Sequence, residues 1–322
     1  MGQKLTEFLT SYLNKQSIFK NKKAILSNYT PKNVPYREEE INHIASILAP
    51  SLRLEKPSNL FLYGKTGTGK TLVARHVTQN LTKIAEENVI NLKVFYLNCK
   101  LKRVADTEYR LIAQLIREFG QDVPATGLPT DELYRIFVQA LDKDKMLLII
   151  ILDEIDQLVN KVGDEILYNL TRLNSELKNS QISFIGISND LMFIDNVDPR
   201  VKSSLSEEEL VFPPYNAIQL QKILRQRAKE AFFDNVFEEG VIEKCAAYAA
   251  REHGDARRAL ELLRVAAELS ERKGVMVIHA VDIDEAENKI ERDRVLDITV
   301  TQPKQVKITL YSILTIFTAA ET

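Results

Sequence analysis

At 322 residues, with 45% apolar and 27% charged side chains, the chain is long enough for two or three globular domains with sizeable cores. Its formal net charge of −2 gives no global sign of nucleic-acid binding, so any such surface is local. Cys99 and Cys245 stand apart, which excludes a disulfide framework and a cysteine metal site and fits a reducing intracellular compartment.

The first residues lack the apolar stretch of a signal peptide. The longest apolar runs, MLLIIIL from 146 and the mostly apolar ITLYSILTIFTAA from 308, are too short to span a bilayer. A soluble, cytoplasmic protein with no membrane partner is therefore predicted. Residues 1–30 are set apart as a basic N-terminal segment. Between 8 and 37 lie Lys15, Lys20, Lys22, Lys23, Lys32 and Arg37 with no acid among them, either a solvated face or a phosphate-contacting one.

NLFLY (59–63) predicts a short strand that stops at a glycine-rich turn, and a helix follows with Val73, Val77, Leu81 and Ile84 on one stripe. KVFYL (93–97) predicts a second strand. Helical patterns at about 107–119 and 130–142 flank the breaker-rich GQDVPATGLP and form an insertion over about 105–143. MLLIIIL (146–152), ISFIGIS (182–188) and ELVF (209–212) predict three more strands. Strands alternating with helices predict an α/β core over 31–213, its five-stranded parallel sheet covered on both faces. After FPPY (212–215) strand signals cease. Residues 217 to about 292 read as four helices, an α-helical domain bounded at 214–292, and 305–317 begins a further helix.

GKTGTGKT (64–71) fits G-x-x-x-x-G-K-[ST] with Gly64, Gly69, Lys70 and Thr71, between a predicted strand and a predicted helix. Glycines let backbone N–H groups at Gly67, Thr68 and Gly69 wrap the β-phosphate. Lys70 reaches the β- and γ-phosphates, and the Thr71 hydroxyl ligates Mg²⁺. LLIIILDEID (147–156) places Asp153 at the carboxyl edge of a buried strand, where open α/β sheets bind ligands. Asp153 is expected to hold Mg²⁺ through water, and Glu154 to orient or deprotonate the attacking water. The segment N-K-x-D that marks guanine specificity is absent, so the nucleotide expected is ATP or ADP.

GDARRAL (254–260) places Arg257 and Arg258 in the first turn of a helix, where the dipole prefers negative charge. At 100° per residue, Ala259, Leu262, Leu263 and Ala266 define the buried face. Arg257 lies almost opposite that face and Arg258 on its flank. A local pair from Arg257 to Glu261 is the alternative to an anion, in the weaker orientation for such a pair.

A P-loop core with a following helical domain resembles the AAA+ ATPases. In that resemblance Asn189, after ISFIGIS, is the polar sensor of the γ-phosphate. Arg200, in DPRVKSSL (198–205), is the arginine that reaches a neighbouring subunit's nucleotide, and Arg257 is the second sensor, on the lid. The aromatic-apolar-glycine pore loop of ring unfoldases and the Ser-Arg-Cys motif of clamp loaders are absent.

Within the superfamily, residues 18–317 resemble the archaeal origin-recognition-complex-type replication initiators. The segments that carry this are IFKNKKAILSNYTPKNVPYREEEI (18–41), FYLNCK (95–100), DPRVKSSL and FPPYNAIQLQKILRQRA (212–228). The resemblance implies that Tyr215 and Arg227 complete the nucleotide pocket. It implies DNA contact around Thr126, Gly127, Leu128, Pro129 and Thr130, and makes 293–322 a linker and the first helix of an incomplete winged-helix domain. The implied partners are double-stranded origin DNA, related initiator subunits and the replicative helicase, in the nucleoid. An ATP-driven switch with slow hydrolysis is the expected function. A signalling NTPase that regulates protein partners without sequence-specific DNA binding is the alternative.

Overall fold

The five apolar runs become strands in the computed structural model, which describes residues 17–27, 29–31, 33–101, 107–124, 126–205 and 207–320. Lys15 and Lys32 of the basic segment, with the rest of its first 16 residues, lie outside the described residues. Strands β1 (Asn59–Tyr63), β2 (Leu92–Asn98), β3 (Leu147–Asp153), β4 (Gln181–Ser188) and β5 (Glu207–Val211) pair in parallel, in the order β2-β3-β4-β1-β5. Every residue of β3 is buried, as an unbroken aliphatic run requires when both faces of a sheet are covered. β5 starts two positions before the expected 209 because its first residues are glutamates on an edge strand, paired with β1 alone and carrying no apolar signal.

Alternation along the strands sends side chains to two separate cores. On one face Leu60, Leu62, Ile149, Ile151, Ile185 and Ile187 pack with α1 (Glu38–Leu48) and α2 (Lys70–Glu87). On the other, Phe61, Leu148, Ile150, Leu152 and Phe184 pack with four helices: α3 (Glu108–Glu118), α4 (Thr130–Leu141), α5 (Ile155–Val162) and α6 (Glu165–Arg172). α3 and α4 are the insertion. Thr107 caps α3 by accepting from Arg110 N, and Glu108 Oε1 receives both the Tyr134 hydroxyl (2.6 Å) and Asn169 Nδ2 (3.0 Å). The short helix α7 (Pro199–Leu205) precedes β5.

Strand order fixes where chemistry gathers. Because β4 lies between β1 and β3, the carboxyl ends of those three strands are neighbours. Tyr63 pairs with Ser188, and Asp153 pairs with both Ile187 and Asn98. The glycine loop, Asn189 and Asp153 therefore leave the sheet at one edge.

The chain divides into two compact units. One comprises Thr30–Asn216 with His253–Ala256; the other comprises Met1–Tyr29, Ala217–Glu252 and Arg257–Thr322. In the second unit stand α8 (Ala217–Ala231), α9 (Val241–Arg251), α10 (Ala256–Lys273), whose first residue belongs to the other unit, α11 (Ala280–Thr301) and α12 (Lys304–Ala320). Part of the basic segment packs there through its apolar residues. Ile18, Ala24 and Ile25 are buried, Phe19 lies 4.9 Å from Phe232, and Lys20 N and Asn21 N both donate to Ala231 O. α11 runs to Thr301, past the end expected near 292, since no glycine or proline interrupts it before Pro303. No helix among the described residues is long and apolar enough to cross a membrane.

Candidate functional site

The loop from β1 to α2 turns through Gly67 and Gly69 at φ +77° and +98°, where a side chain would be strained. Neighbouring side chains would also have to move aside for one. A Cβ on Gly67 would lie 1.6 Å from the Asp255 carboxylate, and one on Gly69 would lie 2.9 Å from the Tyr215 hydroxyl. α2 then begins at Lys70, so its first N–H groups open toward the loop and favour an anion. Lys70 Nζ donates to Gly64 O (2.6 Å), Lys65 O (2.9 Å) and Asn189 Oδ1 (2.9 Å). Two residues 119 positions apart thus meet at the loop.

At the next residue, the Thr71 hydroxyl donates to Asp153 Oδ2 at 2.9 Å. The same oxygen receives the Tyr96 hydroxyl at 2.5 Å. Hydroxyl and carboxylate are hard oxygen donors, the set that suits Mg²⁺, and Asp153 is only 6% exposed. Burial, followed by the Asp153 charge and its hydrogen bond, pushes the Tyr96 phenol up to about 12, so it stays a donor at neutral pH. The Arg75 guanidinium lies 3.7 Å over the Tyr96 ring.

Glu154 follows in the left-handed conformation, φ 57° and ψ 48°, and heads α5. A non-glycine residue held there stores about 1 kcal/mol or more, a cost found at functional sites. Its carboxylate lies 3.6 Å from Lys100 Nζ. The third acid of DEID has a supporting part. Asp156 is buried and accepts from Ser188 Oγ (3.1 Å) and Gln157 Nε2 (3.0 Å), which fastens the end of β4 just before Asn189.

Arg37, counted in the sequence only as one of six basic residues, is 3% exposed. Its Nε donates to Thr68 O (3.0 Å) and to the Tyr215 hydroxyl (3.1 Å), Nη1 to Glu40 (2.6 Å) and Nη2 to Pro213 O. Its guanidinium stacks 4.2 Å over the Tyr215 ring. Tyr215 N in turn donates to Gly254 O, and Ala256 N to Gly67 O, both at 3.3 Å. The outside of the phosphate loop is thus gripped by an arginine from ahead of α1 and a tyrosine from beyond β5. Sequence spacing gives no sign of this grip, because its parts lie 31 and 178 positions apart.

Arg200 and the insertion loop belong to the same unit as the glycine loop, and Arg227, Arg257 and Arg258 to the other. Arg200 is 85% exposed and forks onto Asp198 through Nε and Nη2, each at 3.1 Å. Thr126, Gly127 and Pro129 are exposed in the insertion loop, while Leu128 and Thr130 are half-buried. In the second unit Arg227 is buried and donates to Leu26 O (2.6 Å) and Tyr29 O (3.2 Å). Arg257 is exposed. Arg258, 10% exposed, pairs with Glu252 (3.0 Å), Glu287 (2.9 Å) and Glu291 (2.8 Å) on α11 and the end of α9.

Residues 53–192 match the AAA domain family, and 221–288 match the Cdc6 AAA+ ATPase-type lid domain. Fold and site together define an AAA+ ATPase with a Cdc6-type lid. The chain is 52% identical over 314 residues to the ORC1-type DNA replication protein of Pyrococcus furiosus, covering 96% of this chain and 74% of the relative. It is 50% identical to ORC1-type DNA replication protein 1 of Methanosarcina mazei, covering 97% and 75%. Among solved structures, Aeropyrum pernix ORC1 in complex with DNA aligns at a TM-score of 0.84 and 45% identity, over 94% of this chain and 77% of that one. The chain belongs to the ORC1-type DNA replication proteins, ATP-dependent initiators of the AAA+ superfamily.

Proposed function

We propose that this chain binds double-stranded origin DNA and uses ATP binding, followed by slow hydrolysis, as its conformational switch. The observation that carries the reading is the convergence of Lys70 on Asn189 and of Thr71 on Asp153 at adjacent strand ends. Backbone N–H groups at Gly67, Thr68 and Gly69 cradle the phosphates of ATP or ADP, with Tyr215 beside them. An ammonium has three N–H groups, so a phosphate oxygen that binds Lys70 replaces one of its present acceptors. Displacing Asn189 would free that amide to report the γ-phosphate.

Thr71 and Asp153 would hold Mg²⁺, Asp153 partly through water, and the cation when bound neutralises charge on the phosphate oxygens. Glu154 takes the proton of the attacking water as its oxygen bonds the γ-phosphorus and the bond to the ADP oxygen breaks. Arg200 acts in trans in this scheme. Its pair with Asp198 is exposed to water and screened by salt, so a neighbouring subunit's nucleotide competes for it easily. Dependence on that subunit keeps turnover slow in the isolated chain. The partners are related initiator subunits, origin DNA contacted through the loop at 126–130, and the replicative helicase. In this reading the end of α11 and the turn after it form the linker, and α12 is the first helix of a winged-helix domain.

Two experiments test the scheme. Filter binding of origin and random duplexes, with a salt titration, is expected to show a preference for origin that grows with ATP. No preference would favour an NTPase that regulates protein partners instead. Arg257→Ala is expected to retain stability and lose the ATP-dependent change in DNA binding. Arg258→Ala leaves two of its glutamates facing each other at partly buried positions, and its expected effect is a lower melting midpoint with nucleotide sensing intact. The opposite pattern would exchange the roles of the two arginines.

A further inference from the structure

Asp153 Oδ2 is the meeting point of two hydroxyls, Thr71 Oγ1 at 2.9 Å and Tyr96 Oη at 2.5 Å. A carboxylate oxygen offers two in-plane lone pairs, so these donors fill it. Parallel register explains why a tyrosine does this. Asn98 pairs with Asp153 and Tyr96 with Ile151, so Tyr96 stands two residues back along the neighbouring strand. Two residues of strand rise about 6.6 Å, the span of a tyrosine from backbone to hydroxyl. Tyr96 joins the core on the α2 face, where Arg75, one turn beyond Thr71 on α2, covers its ring at 3.7 Å. The ring is thereby held and its hydroxyl aimed.

We propose that Tyr96 is a positioning residue for the metal–nucleotide site: with Thr71 it occupies Asp153 Oδ2 and so turns Oδ1 toward the water shell of the cation. The proposal rests on the Mg²⁺–nucleotide reading above. Thr71 belongs to that reading whether or not Tyr96 contributes. Without the phenol, one donor remains on Oδ2 and the carboxylate swings about its terminal torsion, which is broad for aspartate. Removing the partner that orients a metal ligand weakens metal affinity by about 10- to 100-fold.

The test is Tyr96→Phe, which keeps the ring under Arg75 and leaves Thr71 still donating. Binding of a fluorescent N-methylanthraniloyl ADP to the full chain is titrated with MgCl₂ and, separately, measured in EDTA. The Mg²⁺ concentration that half-maximally tightens nucleotide binding is expected to rise about tenfold. Affinity in EDTA stays unchanged, while loss of a hydrogen bond to a buried carboxylate lowers the melting midpoint modestly. An unchanged Mg²⁺ response overturns the proposal, and so does an equal loss of affinity with and without Mg²⁺, which would make Tyr96 a structural prop. Thr71→Ala runs in parallel as the reference. If Thr71→Ala leaves the Mg²⁺ response intact, the metal reading itself falls; if it shifts the response and Tyr96→Phe does not, the positioning role falls alone.

Discussion

Glu154→Gln is expected to bind ATP as the parent chain does and to lose hydrolysis almost completely. A glutamine is isosteric and keeps the left-handed backbone at the head of α5, but it cannot accept the proton of the attacking water. General base catalysis contributes about 10²- to 10⁴-fold, so phosphate release under saturating ATP should fall by at least about 10²-fold. The one ion pair lost, to Lys100 at 3.6 Å, joins a half-buried carboxylate to a lysine that is mostly exposed. Such a pair contributes about 1 kcal/mol or less, so the melting midpoint should hardly move. Turnover at the parental rate would remove Glu154 from the mechanism and leave the base to be sought elsewhere at the same strand edge.

Arg37→Met is expected to damage the nucleotide loop and the core together. Methionine preserves the apolar contact with Phe212 and Tyr215, yet it removes every donor that reaches Thr68 O, Pro213 O, the Tyr215 hydroxyl and Glu40. Removing one partner of a buried ion pair costs about 3–5 kcal/mol. For a unit of this size that lowers the melting midpoint by roughly 6–20 °C. Nucleotide affinity should fall with it, because Thr68 lies in the loop that wraps the phosphates. Arg37→Lys separates the two effects. An ammonium restores charge beside Glu40 but lacks the planar fork, so stability should recover in part while nucleotide affinity stays low. Full recovery of affinity in Arg37→Lys would show that charge alone, and not the grip on Thr68 and Tyr215, matters.

Local chemistry was readable from the sequence and remote chemistry was not. β3 and β4 could be read closely because buried parallel strands are unbroken aliphatic runs, and Gly64–Thr71 because its parts are consecutive. The start of β5 was hidden by its glutamates, and the end of α11 by the absence of any breaker before Pro303. Counting 100° per residue separated Arg257 from Arg258, and the two side chains do differ in exposure. Nothing in that count foretold that Arg258 would be taken by Glu252, Glu287 and Glu291. Tyr96, Asp156 and Arg37 were missed for the same physical reason. Each owes its place to strand register or to a turn far along the chain, information that a residue's own neighbours do not carry.

The attachment of residues 17–27 and Tyr29 to α8 has a consequence for biosynthesis. Arg227 and its acceptor Leu26 are 201 positions apart, and Lys20 and Asn21 reach further still to Ala231. A ribosome releases the amino-terminal piece of this unit well before the helix that receives it. Closing so long a loop costs entropy that only the finished contacts repay, so this unit matures late while the sheet between its first two pieces in sequence can form first. During that interval Ile18, Phe19 and Ile25 have no core to enter, and the nascent chain carries an apolar segment that a chaperone can hold.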